Sequence, residues 1–184
     1  MTPISPASSL DLNSAICLLL ILLIPLAAAG LAMINTGLGR ARNAAHMMLA
    51  SLCVMGVAAI VYFIVGFSWQ GYPGSPAHVL AIGGKPFDWI GSAPLFLRGM
   101  PLDGSRGSLV ALFGLFSAAL VAMLPLGSGA DRWTLSSACI STTILAAFTY
   151  PLFAHWAWNG WLAQLGTIHD IGQGYLDAGG AGAV

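Results

Sequence analysis

Charged residues are scarce in this chain. Lys, Arg, Asp and Glu together make up 7% of its 184 residues, every acid is an aspartate, and the formal net charge is zero. Soluble domains carry about 25% charged residues, so this chain could not cover itself with a solvated surface. It also lacks the basic patch that would argue for a nucleic-acid partner. These absences exclude an ordinary soluble domain and a nucleic-acid-binding module.

Cysteine is also rare, and the cysteines that exist form no pattern. Cys17, Cys53 and Cys139 each lie inside an apolar run, where cysteine packs as a small hydrophobic residue. No CxxC or Cys/His spacing indicates a metal site. The six scattered aspartates offer no paired acids, and no nucleophile lies beside a base. The sequence therefore predicts no enzyme, no metal and no cofactor.

The sequence is rich in long apolar runs. Hydrophobic residues make up 58% of the chain, and the mean hydropathy is +0.85. A helix that crosses a bilayer needs about 20 mostly apolar residues. We predict an all-α polytopic transmembrane helix bundle that forms a single transmembrane domain over residues 1–184. Its predicted spans are four full helices and the start of a fifth, at 12–38, 44–68, 108–126, 134–153 and 177–184.

Two short basic turns connect the predicted spans on one side of the membrane. Arg40 and Arg42 lie in the first turn, and the pair Asp131-Arg132 lies in the second. Because cytoplasmic loops carry an excess of Lys and Arg, both turns are predicted to be cytoplasmic and the N-terminus external. The Asp-Arg pair is expected to act as a structural cap or an ion pair at the membrane face.

Two connections are predicted on the external side. The first is the long loop 69–107, which is rich in Gly and Pro and lacks strong periodicity. Loops of this length are often functional. It carries three cations, so the charge distribution alone gives only a weak signal for orientation. Pro151 is expected to mark the end of the fourth span, 134–153, and residues 154–176 are expected to form the second external connection.

Two motifs in the last third of the chain carry the chemistry. The stretch Ala-His-Trp-Ala-Trp-Asn-Gly-Trp-Leu begins at Ala154, and Leu-Asp-Ala-Gly-Gly begins at Leu176. Aromatic rings gather where an apolar helix leaves the membrane, and a lone aspartate opens the next apolar segment. A cation over a Trp ring gains about 0.5–2 kcal/mol, and an acid within a membrane segment is by default a functional candidate. Together they predict a site for a cation.

These motifs resemble the Amt/Mep/Rh ammonium transporter family. The family pattern here is an AHW-x-W-G-x-G-W-L type stretch followed by D-F-A-G-G-x-V-V-H, and the turn at 37–43 is similar to the family's G-L-x-R-x-K-N turn. The resemblance implies a transporter of ammonium or ammonia in the lipid bilayer, assembled as a homotrimer. It also implies an integral protein of the plasma membrane, the inner membrane in a bacterium.

The resemblance implies an external ammonium site with four members. Trp158 takes the position of the recruiting tryptophan, and Asp177 that of the aspartate that shapes the site. Phe116 is expected to be the outer ring of the family's phenylalanine gate, with Phe113 packed above it. Each residue also has a structural interpretation: Trp158 as an interfacial tryptophan, Asp177 as a helix N-cap, and the two phenylalanines as core residues.

Three further residues are expected to shape the site. His155 borders it, either as an interfacial histidine bonded to backbone or as a proton acceptor at the mouth. Gly179 and Gly180 are expected to allow close helix packing, because small residues let transmembrane helices approach each other.

The resemblance covers only the first half of the family fold. That fold is an eleven-helix bundle built from two five-helix halves related by an inverted repeat, and sites of this type lie between such repeats. The family's pore histidines, second gate phenylalanine and site serine belong to later segments. Because the chain stops one residue before the first pore histidine would be expected, we expect the N-terminal part of a transporter. The alternatives are a half-length structural or assembly subunit and an ammonium-sensing domain.

Overall fold

The computed structural model describes residues 6–72, 74–100 and 104–166, together with Gly172 and Tyr175. Four of its helices are long and apolar enough to cross a membrane. Their bounds are Ser14–Leu38, Ala41–Gln70, Arg106–Ser128 and Leu135–Trp158. The prediction of a polytopic helix bundle is therefore confirmed. The predicted start of a fifth span and the residues Asp177, Gly179 and Gly180 lie outside the described residues.

The four spans are built from six α-helices in chain order. The first span belongs to α1 (Pro6–Leu38) and the third is α4 (Arg106–Ser128). The second span joins α2 (Ala44–Val61), a π-helical segment (Tyr62–Gly66) and α3 (Phe67–Gln70). The fourth span joins α5 (Leu135–Ile144), a second π-helical segment (Leu145–Thr149) and α6 (Tyr150–Trp158).

Small residues form the contacts between the spans. The core that joins the four spans consists largely of alanines, with Met47, Val54, Met123 and Leu126 between them. Close packing of small residues favours helix association in a membrane, where no hydrophobic effect drives it. A buried polar contact adds to this packing, because Asn35 Nδ2 donates to the Met123 carbonyl at 3.0 Å. The first and third spans are thereby tied together.

The outward faces of the spans are strongly apolar. On α1 the residues Leu19, Leu22, Leu26 and Met33 are all more than half exposed. An exposed apolar surface of this extent is unfavourable in water and favourable in lipid. The chain is therefore part of an integral membrane protein.

The two basic turns meet at one end of the bundle. The carboxylate of Asp131 accepts the Arg40 backbone N–H at 3.0 Å and the Asn43 Nδ2 at 2.5 Å. The Arg40 guanidinium lies 3.9 Å from Asp131 and is largely exposed, so this ion pair adds little. The predicted capping role of Asp131 is thus directed at the opposite turn rather than at its neighbour Arg132. The hydrogen bond from Asn43, with the Arg40 backbone and charge, holds the pKa of Asp131 below its usual value.

The long loop between the second and third spans contains a β-hairpin. Strands β1 (Ala77–Ile82) and β2 (Lys85–Gly91) pair antiparallel, with a bulge between His78 and Val79. The two residues of the turn, Gly83 and Gly84, have φ angles of 62° and 79°, which suits the turn type that two-residue hairpins favour. The sequence carried this signal, since a Gly-Gly pair separates two runs rich in β-branched and aromatic residues.

The fourth span continues past Pro151, where the sequence analysis placed its end. Pro151 lies in the first turn of α6, where its missing N–H costs least. The preceding turn is widened, and the Tyr150 N–H donates to the Leu145 carbonyl five residues back. A π-helical turn commonly accommodates a break of this kind in the helix ladder. As a consequence, Trp158 is the last residue of a helix and does not lie in a loop.

Candidate functional site

Trp158 lies where α6 ends at the hairpin end of the bundle. Its ring meets that of Phe113 on α4, with centroids 5.6 Å apart and planes tilted by 52°. Both side chains are partly buried. The tertiary structure therefore brings together two of the four residues that the sequence analysis placed in a cation site.

Phe116 has a different position. It follows Phe113 by three residues on α4 and is also partly buried. Within the described part of the chain, its ring makes no aromatic contact, whereas that of Phe113 does. Which of the two rings faces a cation stays a prediction.

A cavity of about 400 Å³ opens beside Trp158. Its lining is mostly polar and combines residues from the loop after the second span, strand β2, the end of α6 and the turn that follows α6. The lining residues are Tyr72, Gly74, Ser75, Asp88, His155, Trp158, Asn159, Ala163 and Gln164. A second cavity of about 350 Å³ lies between α1 and α4 and is lined largely by apolar residues. Of these two cavities, the first has the charged and polar groups that recognition of a small ion requires.

The wall of this polar cavity contains a contact between a buried histidine, His155, and an aspartate, Asp88. His155 Nε2 lies 3.0 Å from Asp88 Oδ1, and His155 Nδ1 lies 2.9 Å from the Gln70 carbonyl oxygen. The exposed fraction is 2% for the His155 side chain and 18% for Asp88. His155 was predicted as an interfacial histidine bonded to backbone or as a proton acceptor, and the first interpretation matches its contact with Gln70. Asp88 was not predicted as a site residue, because nothing in the sequence connects it to His155.

Asn159 adds an unusual feature to the same wall. Both polar atoms of its carboxamide are buried and have no hydrogen-bond partner among the described residues. Buried polar groups are almost always satisfied, so an unpaired carboxamide at a cavity marks a place where a polar ligand could bind. In the sequence, Asn159 was recognised only as part of the aromatic motif.

Aromatic contacts hold the hairpin against α6. Trp156 Nε1 donates to the Trp89 carbonyl at 2.7 Å, and the two indole rings lie 5.3 Å apart. Trp161 contacts Trp156 and Phe87 at centroid distances of 6.1 and 6.3 Å. Trp156 and Trp161 therefore fix the position of the hairpin beside α6.

The class of protein follows from these features. The chain is a polytopic membrane protein whose fourth span ends at a cavity lined by aromatic and polar residues, with Asp88 of the hairpin in its wall. Residues 15–183 match the sequence profile of the Ammonium Transporter Family. The chain belongs to the ammonium transporter family.

Curated relatives extend this result. The chain is 32% identical over 165 residues to ammonium transporter Amt2 of Archaeoglobus fulgidus, with 85% of this chain and 31% of the relative covered. It is 30% identical over 157 residues to ammonium transporter 1 member 3 of Solanum lycopersicum, with 84% of this chain and 31% of the relative covered. It is 25% identical over 177 residues to putative ammonium transporter 1 of Caenorhabditis elegans, with 95% of this chain and 30% of the relative covered. The chain thus spans about a third of the length of these relatives. No solved structure matches it.

Proposed function

We propose that the protein carrying this chain transports ammonium or ammonia across a membrane. In this proposal, external ammonium is recruited between Trp158 and the phenylalanines Phe113 and Phe116. The observation that carries it is the contact between Trp158 and Phe113 beside a polar cavity. It is supported by membership of the ammonium transporter family and by relatives whose names are those of ammonium transporters.

A recruitment site must bind its ion tightly enough to concentrate it and weakly enough to release it again. A cation at the centre of a bilayer costs several kcal/mol, so recruitment at the mouth has to precede passage. An aromatic face supplies about 0.5–2 kcal/mol, which concentrates the ion without trapping it. The unpaired Asn159 Oδ1 would accept one N–H of ammonium, and its position on the cavity wall beside Trp158 gives the ion a polar partner as it leaves water.

The remaining roles in this proposal follow the resemblance. Asp177 would stabilise the cation from the start of a fifth span, with Gly179 and Gly180 allowing that span to pack closely. The pore itself would need segments that correspond to the second half of the family fold. Assembly as a homotrimer, an external N-terminus and residence in a bacterial inner membrane are parts of the same proposal.

The experiment is uptake of labelled methylammonium by cells that lack their own ammonium transporters. We expect Trp158→Leu to raise the half-saturation concentration by about 2- to 30-fold, which is the equivalent of the lost cation–π energy. Trp158→Phe keeps an aromatic face and should lose less. Trp69→Leu is the matched control, because Trp69 packs on Phe148 at a centroid distance of 4.5 Å and does not line the cavity. Equal uptake by Trp158→Leu and the wild type would contradict the recruitment role.

The alternative is an assembly subunit or an ammonium sensor that does not transport. The same experiment separates it from the proposal. A sensor would bind ammonium without uptake, so calorimetric binding with no accumulation of label would favour it. An assembly subunit would show neither binding of ammonium nor accumulation of label.

A further inference from the structure

One strand of the hairpin is apolar and exposed on both of its faces. Residues 78–82 of β1 are all exposed, and Val79, Leu80 and Ile82 are each at least half exposed. Successive residues of a strand point to opposite faces of the sheet, so Val79 lies on one face and Leu80 and Ile82 lie on the other. An antiparallel sheet that borders water usually alternates apolar and polar residues, whereas residues 79–82 are apolar throughout.

The other strand, β2, holds the hairpin against the bundle with residues from both of its faces. Phe87 meets Trp161 at a centroid distance of 6.3 Å, and its neighbour Asp88 lies 3.0 Å from His155. The Trp161 N–H also donates to the Asp88 carbonyl at 3.1 Å, and a β-carbon at Gly160 would lie 2.9 Å from that carbonyl oxygen. Strand β1 is therefore the outer strand, and among the described residues its outer edge pairs with no further strand.

The hairpin lies at the level where the second and fourth spans end. Trp156 on α6 donates to the Trp89 carbonyl, and Trp89 is itself 42% exposed. At the end of β2, Gly91 lies against the carbonyl of Trp69, whose ring packs on the exposed Phe148 of the fourth span. Tryptophan is enriched at the boundary between membrane and water. The apolar surface of the hairpin thus continues the lipid-facing surface of the spans.

The charges of the hairpin suit a phospholipid surface. Its carboxylate, Asp88, is directed at His155 and is 18% exposed, so it offers little repulsion to phosphate groups. Lys85 follows the turn directly, and a lysine near a membrane surface can lay its apolar stem in the lipid and its ammonium group among the phosphates.

A fluid apolar layer covers such a strand more completely than a folded partner would. A partner strand would pair with the edge of β1 and leave both faces open, and a helix packed on one face would leave the other in water. The unpaired N–H and C=O groups along the outer edge exclude the hydrocarbon core, because they need water or headgroups. These two requirements meet at the boundary between headgroups and acyl chains.

We propose that the hairpin is a membrane anchor whose outer strand rests in this boundary of a phospholipid bilayer. Val79, Leu80 and Ile82 contact the upper acyl chains, and Lys85 lies at the phosphates. Interfacial elements of this kind insert about 5–10 Å into the boundary. The anchor seats β2 on α6, and it does not depend on the transport proposed above.

The first experiment locates β1 relative to lipid and water. The complete protein, with its native cysteines replaced by alanine, carries a fluorescent label on Leu80→Cys or Ile82→Cys and is reconstituted in phosphatidylcholine nanodiscs. We expect quenching by lipids brominated near the glycerol end of their acyl chains and protection from aqueous iodide. Leu26→Cys, exposed in the middle of the first span, is the lipid control and should respond more to bromine near the methyl ends. Arg40→Cys, at a side chain 70% exposed, is the aqueous control.

A second experiment tests whether lipid contact seats the hairpin. Threonine keeps a high strand propensity, so Leu80→Thr combined with Ile82→Thr preserves the strand while adding a hydroxyl at each position. We expect hydrogen exchange of the β2 amides in nanodiscs to accelerate by about tenfold, equivalent to about 1.4 kcal/mol. His78→Thr is the matched control, because His78 is an exposed polar residue of the same strand, and its exchange should equal that of the wild type.

Each outcome decides the proposal. Quenching of the Leu80→Cys label by iodide would place β1 in water and overturn the anchor. A label that neither quencher reaches would place β1 against protein and also overturn it, and a disulfide between two copies of Leu80→Cys would identify a second copy as the occupant. Bromine quenching combined with unchanged exchange in the double threonine variant would contradict the seating role. None of these readings uses ammonium uptake, so a protein that fails to transport can still support the anchor.

Discussion

The hydroxyl group of Tyr62 occupies the space in which a side chain at Gly114 would lie. A β-carbon at position 114 would meet the Tyr62 hydroxyl and would come within 2.9 Å of Gln70 Oε1. Tyr62 is fully buried and donates to Gln70 Oε1 at 2.8 Å. The second and third spans thus approach each other because Gly114 has no side chain.

Gly114→Ala is expected to destabilise the fold. Insertion of a methyl group into a filled interior costs about 1–3 kcal/mol, and here it displaces the buried hydroxyl from Gln70. The measurement is the free energy of unfolding in detergent micelles, followed by helical ellipticity. Gly56→Ala is the control, since nothing lies within 4 Å of its added β-carbon. Adding Tyr62→Phe to Gly114→Ala should recover part of the loss, because it removes the clashing oxygen. Equal stabilities for the Gly114 and Gly56 variants would contradict this account.

Gly66→Ala is expected to have a larger effect. Gly66 ends the first π-helical segment, and its β-carbon would lie 2.6 Å from the Ala146 carbonyl oxygen in the second. The obstacle is backbone, which cannot rotate away, so the loss should reach or exceed the upper end of the about 1–3 kcal/mol for overpacking. Gly30→Ala is the control within a span, because its β-carbon would meet nothing within 4 Å. The fraction cleaved by a protease at each denaturant concentration would rank the stabilities of the variants. A Gly66→Ala variant as stable as Gly30→Ala would show that the two π-helical segments do not need close contact.

Asp131 is expected to make the stability of the fold depend on pH. Its pKa is lowered in the folded state, chiefly by the Asn43 hydrogen bond. Its stabilising contribution is therefore present above the unfolded pKa of about 3.9 and is lost as the pH falls through the lowered folded value. The melting temperature of the wild type should fall in acid.

The matched variant is Asp131→Asn. Asp131 has a φ angle of 64°, which Asn also tolerates, so the turn keeps its shape while the charge is removed. This variant should be less stable than the wild type at neutral pH and should lose less stability on acidification. If the melting temperatures of the wild type and Asp131→Asn fell by the same amount on acidification, Asp131 would not be a source of the pH dependence of stability.

Local patterns in the sequence predicted the spans well, for a simple reason. Apolar runs long enough to cross a bilayer leave little choice of structure, because only helices and closed barrels satisfy the backbone in lipid. The ends of the spans were harder to predict. Pro151 indicated an end for the fourth span, but the widened turn before it let the helix continue to Trp158. The hairpin was missed although Gly83 and Gly84 signalled it.

The candidate site was predictable only in part. The motif around Trp158 and its resemblance to ammonium transporters pointed to the end of the bundle where Trp158 lies beside the polar cavity. The choice between Phe113 and Phe116 was beyond the sequence, because two residues on one helix differ only in how that helix is rotated against its neighbour. The structure brings Phe113 to Trp158. The prediction for Asp177 lies outside the described residues and stays a prediction.

The sequence by itself determined that this protein resides in a membrane, how many apolar helices the described chain contains and which family it belongs to. Each of these follows from composition or from residues close together along the chain. Only the tertiary structure decided that Asp88 meets His155, 67 residues away, and that the hairpin contributes Asp88 to the wall of the cavity beside Trp158. Such contacts depend on how spans cross and rotate, and that geometry is set by small residues such as Gly114, whose effect appears only when two spans are packed together.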